Sequence, residues 1–114
     1  MDDCLFCKMV SGAIQPDVVY ETGDVLAFRD LNPQAPTHIL VIPRKHISTL
    51  AAADAEDEGL LGHLLLVGAR LAREQGLVER GFRTVINTNA DAGQTVFHIH
   101  VHIIGGRRMR WPPG

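Results

Sequence analysis

The chain has 114 residues, close to the usual size of one domain with one hydrophobic core, and its apolar content and charge are those of a soluble globular protein. A formal net charge of −2 argues against a dedicated nucleic-acid binder, and no apolar run approaches the roughly 20 residues that span a bilayer. The acidic start Met1-Asp2-Asp3 is unlike a signal peptide, and two neighbouring cysteines do not make a stapled secreted fold, so a cytoplasmic location is expected, with neither a membrane nor a nucleic acid as partner.

Cys4-Leu5-Phe6-Cys7 opens the chain. A Cys-x-x-Cys is a redox pair, half of a zinc site, or two small buried residues. A redox motif needs a preceding strand, for which there is too little chain; zinc needs two more ligands, for which His46 and the C-terminal histidines are candidates. Ser11-Gly12 and Gln15-Pro16 are turn material, which leaves at most a short helix between Phe6 and Ile14. Val18-Val19-Tyr20-Glu21 and Val25-Leu26-Ala27-Phe28 flank Thr22-Gly23-Asp24 and predict a hairpin. Residues 30–36 carry two prolines and form a loop, after which Thr37 to Ile42 is a third strand ended by Pro43.

Asp54 followed by Glu56 and Asp57 marks a helix start. Leu61, Leu64, Leu65, Gly68, Leu71 and Ala72 then recur at helical spacing until Gly76, with Gly68 allowing close approach to a sheet. His63 sits between apolar positions as a partly exposed helix residue. Phe82 to Asn87 alternates as a fourth strand, and the loop 88–94 returns the chain antiparallel into His98-Ile99-His100-Val101-His102-Ile103-Ile104. Gly105-Gly106 stops that strand, and the tail carries Arg107, Arg108 and Arg110 before Trp111-Pro112-Pro113-Gly114. The order of elements predicts an α+β fold: an antiparallel sheet of about five strands with one long helix on one face.

Three of the six histidines stand at alternate positions in the last strand. A regular strand would put the imidazoles on one face and Ile99, Val101 and Ile103 on the other, against the core. Each neutral imidazole has a donor and an acceptor to satisfy, so such a face lines a site more naturally than a dry interior. Solvent exposure, metal binding by a His-x-His pair, and nucleophilic catalysis are the readings of the residues.

The stretch resembles the signature of the histidine triad (HIT) family, His-φ-His-φ-His-φ-φ with φ apolar. The likeness runs from Cys4 to Gly114 as a single HIT domain over residues 1–114. It is nearest to the Hint branch, on Ala35-Pro36-Thr37-His38, Pro43-Arg44-Lys45-His46-Ile47-Ser48, Ala92-Gly93-Gln94-Thr95-Val96-Phe97 and the terminal Trp111-Pro112-Pro113-Gly114. The resemblance implies a homodimer with the sheet extended across its interface, and hydrolysis of purine nucleoside 5′-phosphoramidates. It makes His100 the nucleophile, His102 a stabiliser of phosphate charge, His38 a proton relay, and Thr95, where the branch commonly has serine, a contact to phosphate or leaving group. It places Phe6, Met9 and Phe28 around the base, Asp30 on the ribose with Leu31 beside it, Asn87 on ribose or phosphate, and Gly93, Gln94 and Thr95 as a phosphate nest. Without the resemblance Asp30 is an ordinary loop cap and Gly93-Gln94 ordinary turn residues. The resemblance also implies structural zinc held by Cys4, Cys7, His46 and His98, and a tail that acts at the partner's site. Dinucleoside polyphosphate hydrolysis, as in the Fhit branch, and a nucleotide-binding or scaffold module are the alternative functions.

Overall fold

The computed structural model describes residues 3–114, in which a five-stranded antiparallel sheet is covered by a short helix on one face and a long helix on the other. Helix α1 is Leu5–Ser11, strands β1 and β2 are Val18–Glu21 and Val25–Arg29, and β3 is Thr37–Pro43. Two 3-10 turns lead into α2, Glu58–Glu74, before β4, Phe82–Val85, and β5, Val101–Gly105. The strand order is β1-β2-β3-β5-β4, and every neighbouring pair runs antiparallel. No helix of the described residues is long and apolar enough to cross a membrane.

Local chemistry explains the connections. The hydroxyl of Thr22 accepts from the backbone N–H groups of Asp24 and Val25, closing the β1–β2 turn. Asp54 starts the helical region through a capping box with Asp57, but it caps a 3-10 turn that runs into α2 rather than α2 itself. Lys45 donates to Asp57 at 2.6 Å, fastening that cap to the segment after β3.

Alternation divides the sheet into two unlike faces. Val25, Ala27, Ile39, Val41, Val101 and Ile103 point to α2, whose Leu64, Val67, Leu71 and Ala72 meet them in a cluster of eleven buried residues. Leu26, Phe28, Leu40 and Ile42 point the other way, where Phe6 of α1 completes a cluster of only five. At roughly 1.5–3 kcal/mol for each fully buried aliphatic or Phe side chain, the α2 face carries the larger share of the hydrophobic stabilisation. His38 and His102 lie on the thinner face, in register with Ile104 and Leu40 respectively.

Three positions differ from what the sequence predicts. Leu65 faces outward, 45 % exposed, and Val67 takes a core position instead. The run Leu64-Leu65-Leu66-Val67 is apolar all round the helix, so periodicity alone does not choose between its members. The last strand begins at Val101, not His98, and β4 ends at Val85, not Asn87. Continuing the β3–β5 register beyond Val41↔Val101 sets Pro43 opposite Ile99, and proline has no N–H for the ladder. The N–H of Ile99 donates instead to the carbonyl of Ile47 at 2.7 Å.

Gly68 packs α2 onto β5: a Cβ there would lie 2.6 Å from Cδ1 and 3.2 Å from Cγ1 of Ile103, which is itself fully buried. Gly68→Val should therefore lower stability by about 1–3 kcal/mol through overpacking. Urea unfolding followed by far-UV circular dichroism measures the loss.

Candidate active site and metal centre

His98 is wholly buried, and its Nε2 lies 2.7 Å from the carbonyl oxygen of Pro43. A carbonyl only accepts, so Nε2 carries the proton and Nδ1 presents a lone pair. Around that lone pair stand Cys4 Sγ at 3.5 Å, Cys7 Sγ at 3.6 Å and His46 Nδ1 at 3.2 Å, while Cys7 Sγ is 3.2 Å from His46 Nδ1. Cys4 caps α1, its sulfur accepting from the backbone N–H of Cys7. The four donor atoms all lie within 4.8 Å of one another. Tetrahedral zinc with bonds of about 2.0–2.3 Å needs ligand atoms about 3.3–3.8 Å apart, and this set fits that spacing closely. Burial first, then the neighbouring Cys4, pushes the Cys7 thiol up from its ordinary value. The donor set, two sulfurs and two imidazole nitrogens turned inward, suits a soft divalent cation.

His100 faces a different way. Its Nδ1 lies 2.8 Å from the carbonyl oxygen of His98, which makes Nδ1 the protonated nitrogen and leaves the Nε2 lone pair free. Phe6 stands edge-on to this ring at 5.1 Å and to His98 at 5.9 Å, so one aromatic packs on both histidines. Burial lowers the affinity of His100 for a proton, partly opposed by the His98 carbonyl and Asp30. At neutral pH the ring is accordingly uncharged, as a nucleophile must be.

The tautomer of His102 follows from a longer chain of bonds. The Gln34 N–H donates to His38 Nδ1 at 3.0 Å, so His38 holds its proton on Nε2. That Nε2–H donates to His102 Nδ1 at 2.9 Å, with Asp30 Oδ2 at 3.4 Å as a second acceptor. Neutral His102 then carries its proton on Nε2, the one buried side-chain nitrogen or oxygen without a partner among the described residues. Burial, followed by the nearby His100 and His38, lowers the His102 pKa to about 4. Burial also lowers His38, against the opposing charge of Asp30. The His100 and His102 rings are 5.0 Å apart, so a free lone pair and an unpartnered N–H stand side by side.

Phe6 and Phe28 are core side chains, each 3 % exposed, and Met9 is half-buried against them. Asp30 is half-buried, and its Oδ1 accepts from the Asn32 N–H as a loop cap does. Leu31 is fully outside the core. Asn87 is half-buried just beyond β4. Gly93 adopts a left-handed φ of 86°, while the Gln94 side chain is spent on bracing: it accepts from Asn89 N–H and donates to the carbonyls of Ser48 and Val96. Thr95 is exposed and lines an open cavity with Cys4, His46 and Phe97. Neither Gln34 nor Pro43 stands out in the sequence as a site residue, because one acts through its backbone N–H and the other through its backbone carbonyl, groups that side-chain type does not mark.

A small α+β protein thus sets a Cys2His2 cluster beside a file of three further histidines, His38, His100 and His102. A model of the HIT domain matches residues 11–109, and the chain belongs to the HIT family. A 14 kDa zinc-binding protein of Zea mays is 50 % identical over 112 residues, covering 96 % of this chain and 87 % of the relative. The crystal structure of a HIT family hydrolase from Legionella pneumophila is 51 % identical, with a TM-score of 0.96 over 98 % of this chain and all of the other. A histidine triad nucleotide-binding protein from Candida albicans matches at 27 % identity and a TM-score of 0.81, over 96 % of this chain and 83 % of the other.

The His102 environment has a consequence for stability. Its pKa falls from the ordinary 6.5 to about 4 on folding, so the unfolded chain binds the proton more tightly. The contribution is complete above pH 6.5 and is lost as the pH falls through 4. His38, His98 and His100 are shifted in the same direction and add to the slope. Unfolding free energies at pH 7.5 and pH 4.5 should differ less in His102→Gln than in the wild type, as urea titrations at the two pH values will show.

Proposed function

We propose that this chain is a hydrolase of purine nucleoside 5′-phosphoramidates, of the Hint type, working through a nucleotidyl-histidine. The observation that carries the reading is the pairing of a free His100 Nε2 lone pair with an unpartnered His102 Nε2–H, 5.0 Å between ring centres. The named hydrolase and nucleotide-binding relatives support it at the level of class.

His100 Nε2 attacks the α-phosphorus, forming one P–N bond as the bond to the leaving amine breaks. The amine departs with a proton drawn from solvent and relayed by the Thr95 hydroxyl or the His38–His102 file, and the water of the second step returns one to solvent by the same route. The attacking ring becomes positively charged, and the His98 carbonyl at Nδ1–H stabilises that charge. His102 Nε2–H donates to a non-bridging phosphoryl oxygen, where negative charge grows. Water then attacks phosphorus, His100 leaves, and the nucleoside monophosphate is released. Because each step exchanges one P–N bond for another or for P–O, histidine suits an amine-leaving substrate. Asp30, with Leu31 beside it, would accept from the ribose hydroxyls, with Phe6, Met9 and Phe28 near the base, and Asn87, Gly93 and Gln94 around ribose and phosphate.

Zinc is the proposed metal of Cys4, Cys7, His46 and His98, a closed four-ligand set that fastens α1 to the sheet and takes no part in the chemistry. The name of the Zea mays relative supports that choice. A homodimer is proposed as well. The sheet has an unpaired edge at β4, whereas the other edge strand, β1, is protected by a register shift between Val18 and Tyr20. Leu65, Leu66 and Trp111, the last 83 % exposed, are the apolar surface for such a contact, with the tail reaching the partner's pocket.

Two outcomes test the reading. His100→Ala should keep the fold and bind adenosine monophosphate, yet lose turnover of adenosine phosphoramidate by at least about a thousandfold. A quenched wild-type reaction should show a nucleotidyl adduct on His100 by mass spectrometry, and near-normal turnover in the variant would refute the nucleophile. Separately, Cys4→Ser should lose the metal and melt at lower temperature while the chemistry of the remaining folded protein changes far less. Elemental analysis that finds no zinc in reduced wild-type protein, purified without chelator, rules out the metal.

A further inference from the structure

The segment of residues 4–14 has few fastenings to the sheet. Among the described residues, no backbone hydrogen bond joins it to the rest of the chain, and none of its side chains takes part in an ion pair. Its polar contacts beyond the segment run only through two sulfurs, Cys4 Sγ to His98 and Cys7 Sγ to His46 and His98. The other hold is apolar, from Phe6 and its small cluster. A helix of seven residues does not persist by its own hydrogen bonds, so α1 stays in place by what its sulfurs bind and by that cluster.

The same two sulfurs can bond to each other. Cys4 is the N-cap of α1, and its sulfur folds back over the first turn to accept from the Cys7 N–H at 3.3 Å. The two sulfurs lie within 4.8 Å of one another, and closing them to a bond of about 2.0 Å needs only side-chain rotation about that turn. Both cysteines are half-buried and Cys4 lines an open cavity, which gives a small oxidant access. Cys4, Cys7, His46 and His98 all lie outside β4, α2 and the tail, the elements of the proposed dimer contact.

We propose that Cys4 and Cys7 are a reversible oxidation site for peroxides, and that their disulfide releases zinc and unfastens α1. One thiolate attacks a peroxide oxygen and becomes a sulfenic acid as hydroxide leaves. The second thiolate attacks that sulfur, forming the S–S bond and expelling a second hydroxide. Two protons from solvent convert the hydroxides to water, so the sulfurs lose two electrons and the peroxide gains them. Disulfide sulfur carries no charge and is a poor zinc ligand, which leaves only His46 and His98 of the four. The metal centre ties α1 to residues 46 and 98, whereas the disulfide ties α1 only to its own first turn. Phe6 then holds the helix unaided, and its ring is the one packed edge-on against His100. The inference rests on the zinc assignment above, and it makes the pair a modification site rather than a redox catalyst.

The test uses the zinc-loaded wild type, with its metal content measured before hydrogen peroxide is added. A colorimetric chelator should report zinc release in step with the loss of two hydrogens from the tryptic peptide ending at Lys8, which holds both cysteines. Hydrogen exchange of the α1 amides should quicken at least about tenfold, while the amides of β3 and β5 stay protected. Dithiothreitol with added zinc should reverse all of these changes. Protein that holds no zinc before oxidation refutes the metal assignment and the switch together. Zinc retained after the disulfide has formed overturns the switch alone, as does release only when the sulfurs reach sulfinic acid, or a disulfide that links two chains. Unchanged exchange of α1 in the zinc-free disulfide form overturns the unfastening.

Discussion

His98 has no solvent contact, and both ring nitrogens and its carbonyl are fixed by different parts of the chain. Nε2–H donates to the Pro43 carbonyl, Nδ1 turns to Cys4, Cys7 and His46, and its own carbonyl accepts from His100 Nδ1–H. One residue thus closes the N-terminal helix onto the sheet and orients the neighbouring imidazole. It can do so only because residues 98–100 leave the strand ladder, with Ile99 N–H taken by Ile47. Had the strand continued, His98 and His100 would share a face and compete for one space. Pro43, which cannot extend the ladder, is the local cause of their separation.

Two imidazoles 5.0 Å apart would be chemically alike in water, and here backbone groups make them unlike. A carbonyl at Nδ1 turns the lone pair of His100 outward, while the N–H of Gln34, acting through His38, turns the N–H of His102 outward. Burial keeps both rings neutral near pH 7, so the assignment persists where it is needed. The unpartnered His102 Nε2 costs roughly 1–3 kcal/mol in the folded chain. Burial of apolar side chains on the two sheet faces, most of it on the face toward α2, offsets such a cost.

Much of this architecture is legible from residue order. The hairpin around Thr22-Gly23-Asp24, the capped helical region after Asp54, and the closeness forced at Gly68 all follow from side-chain type. Leu65 and Val67 exchange roles because four consecutive apolar residues erase the helical period. The three alternating histidines mark a site but do not show how it divides, since that depends on Pro43 standing opposite Ile99 in a register set by distant strands. The Cys4–Cys7 spacing suggests metal, yet the lone pair that His98 offers depends on a carbonyl 55 positions away. Gln94 looks like nest material in sequence, whereas its side chain holds the loop to Ser48 and Val96.

The loop of residues 30–36 illustrates how long-range constraint replaces local regularity. It lies outside helix and strand, but it carries Asp30 and the Gln34 amide that determines the His38 tautomer. Its two prolines limit its freedom without choosing a position for that amide. The choice comes from the tail root: Arg107 donates to the Gln34 carbonyl, and Gly106, at a φ of 95°, fits against Pro36 where a Cβ would come within 2.9 Å. Gln34 therefore presents its carbonyl to Arg107 and its amide to the histidine file. A proton position at His102 is in this way set by contacts that begin beyond the end of β5, and the tail belongs to the site of its own chain before any partner is considered.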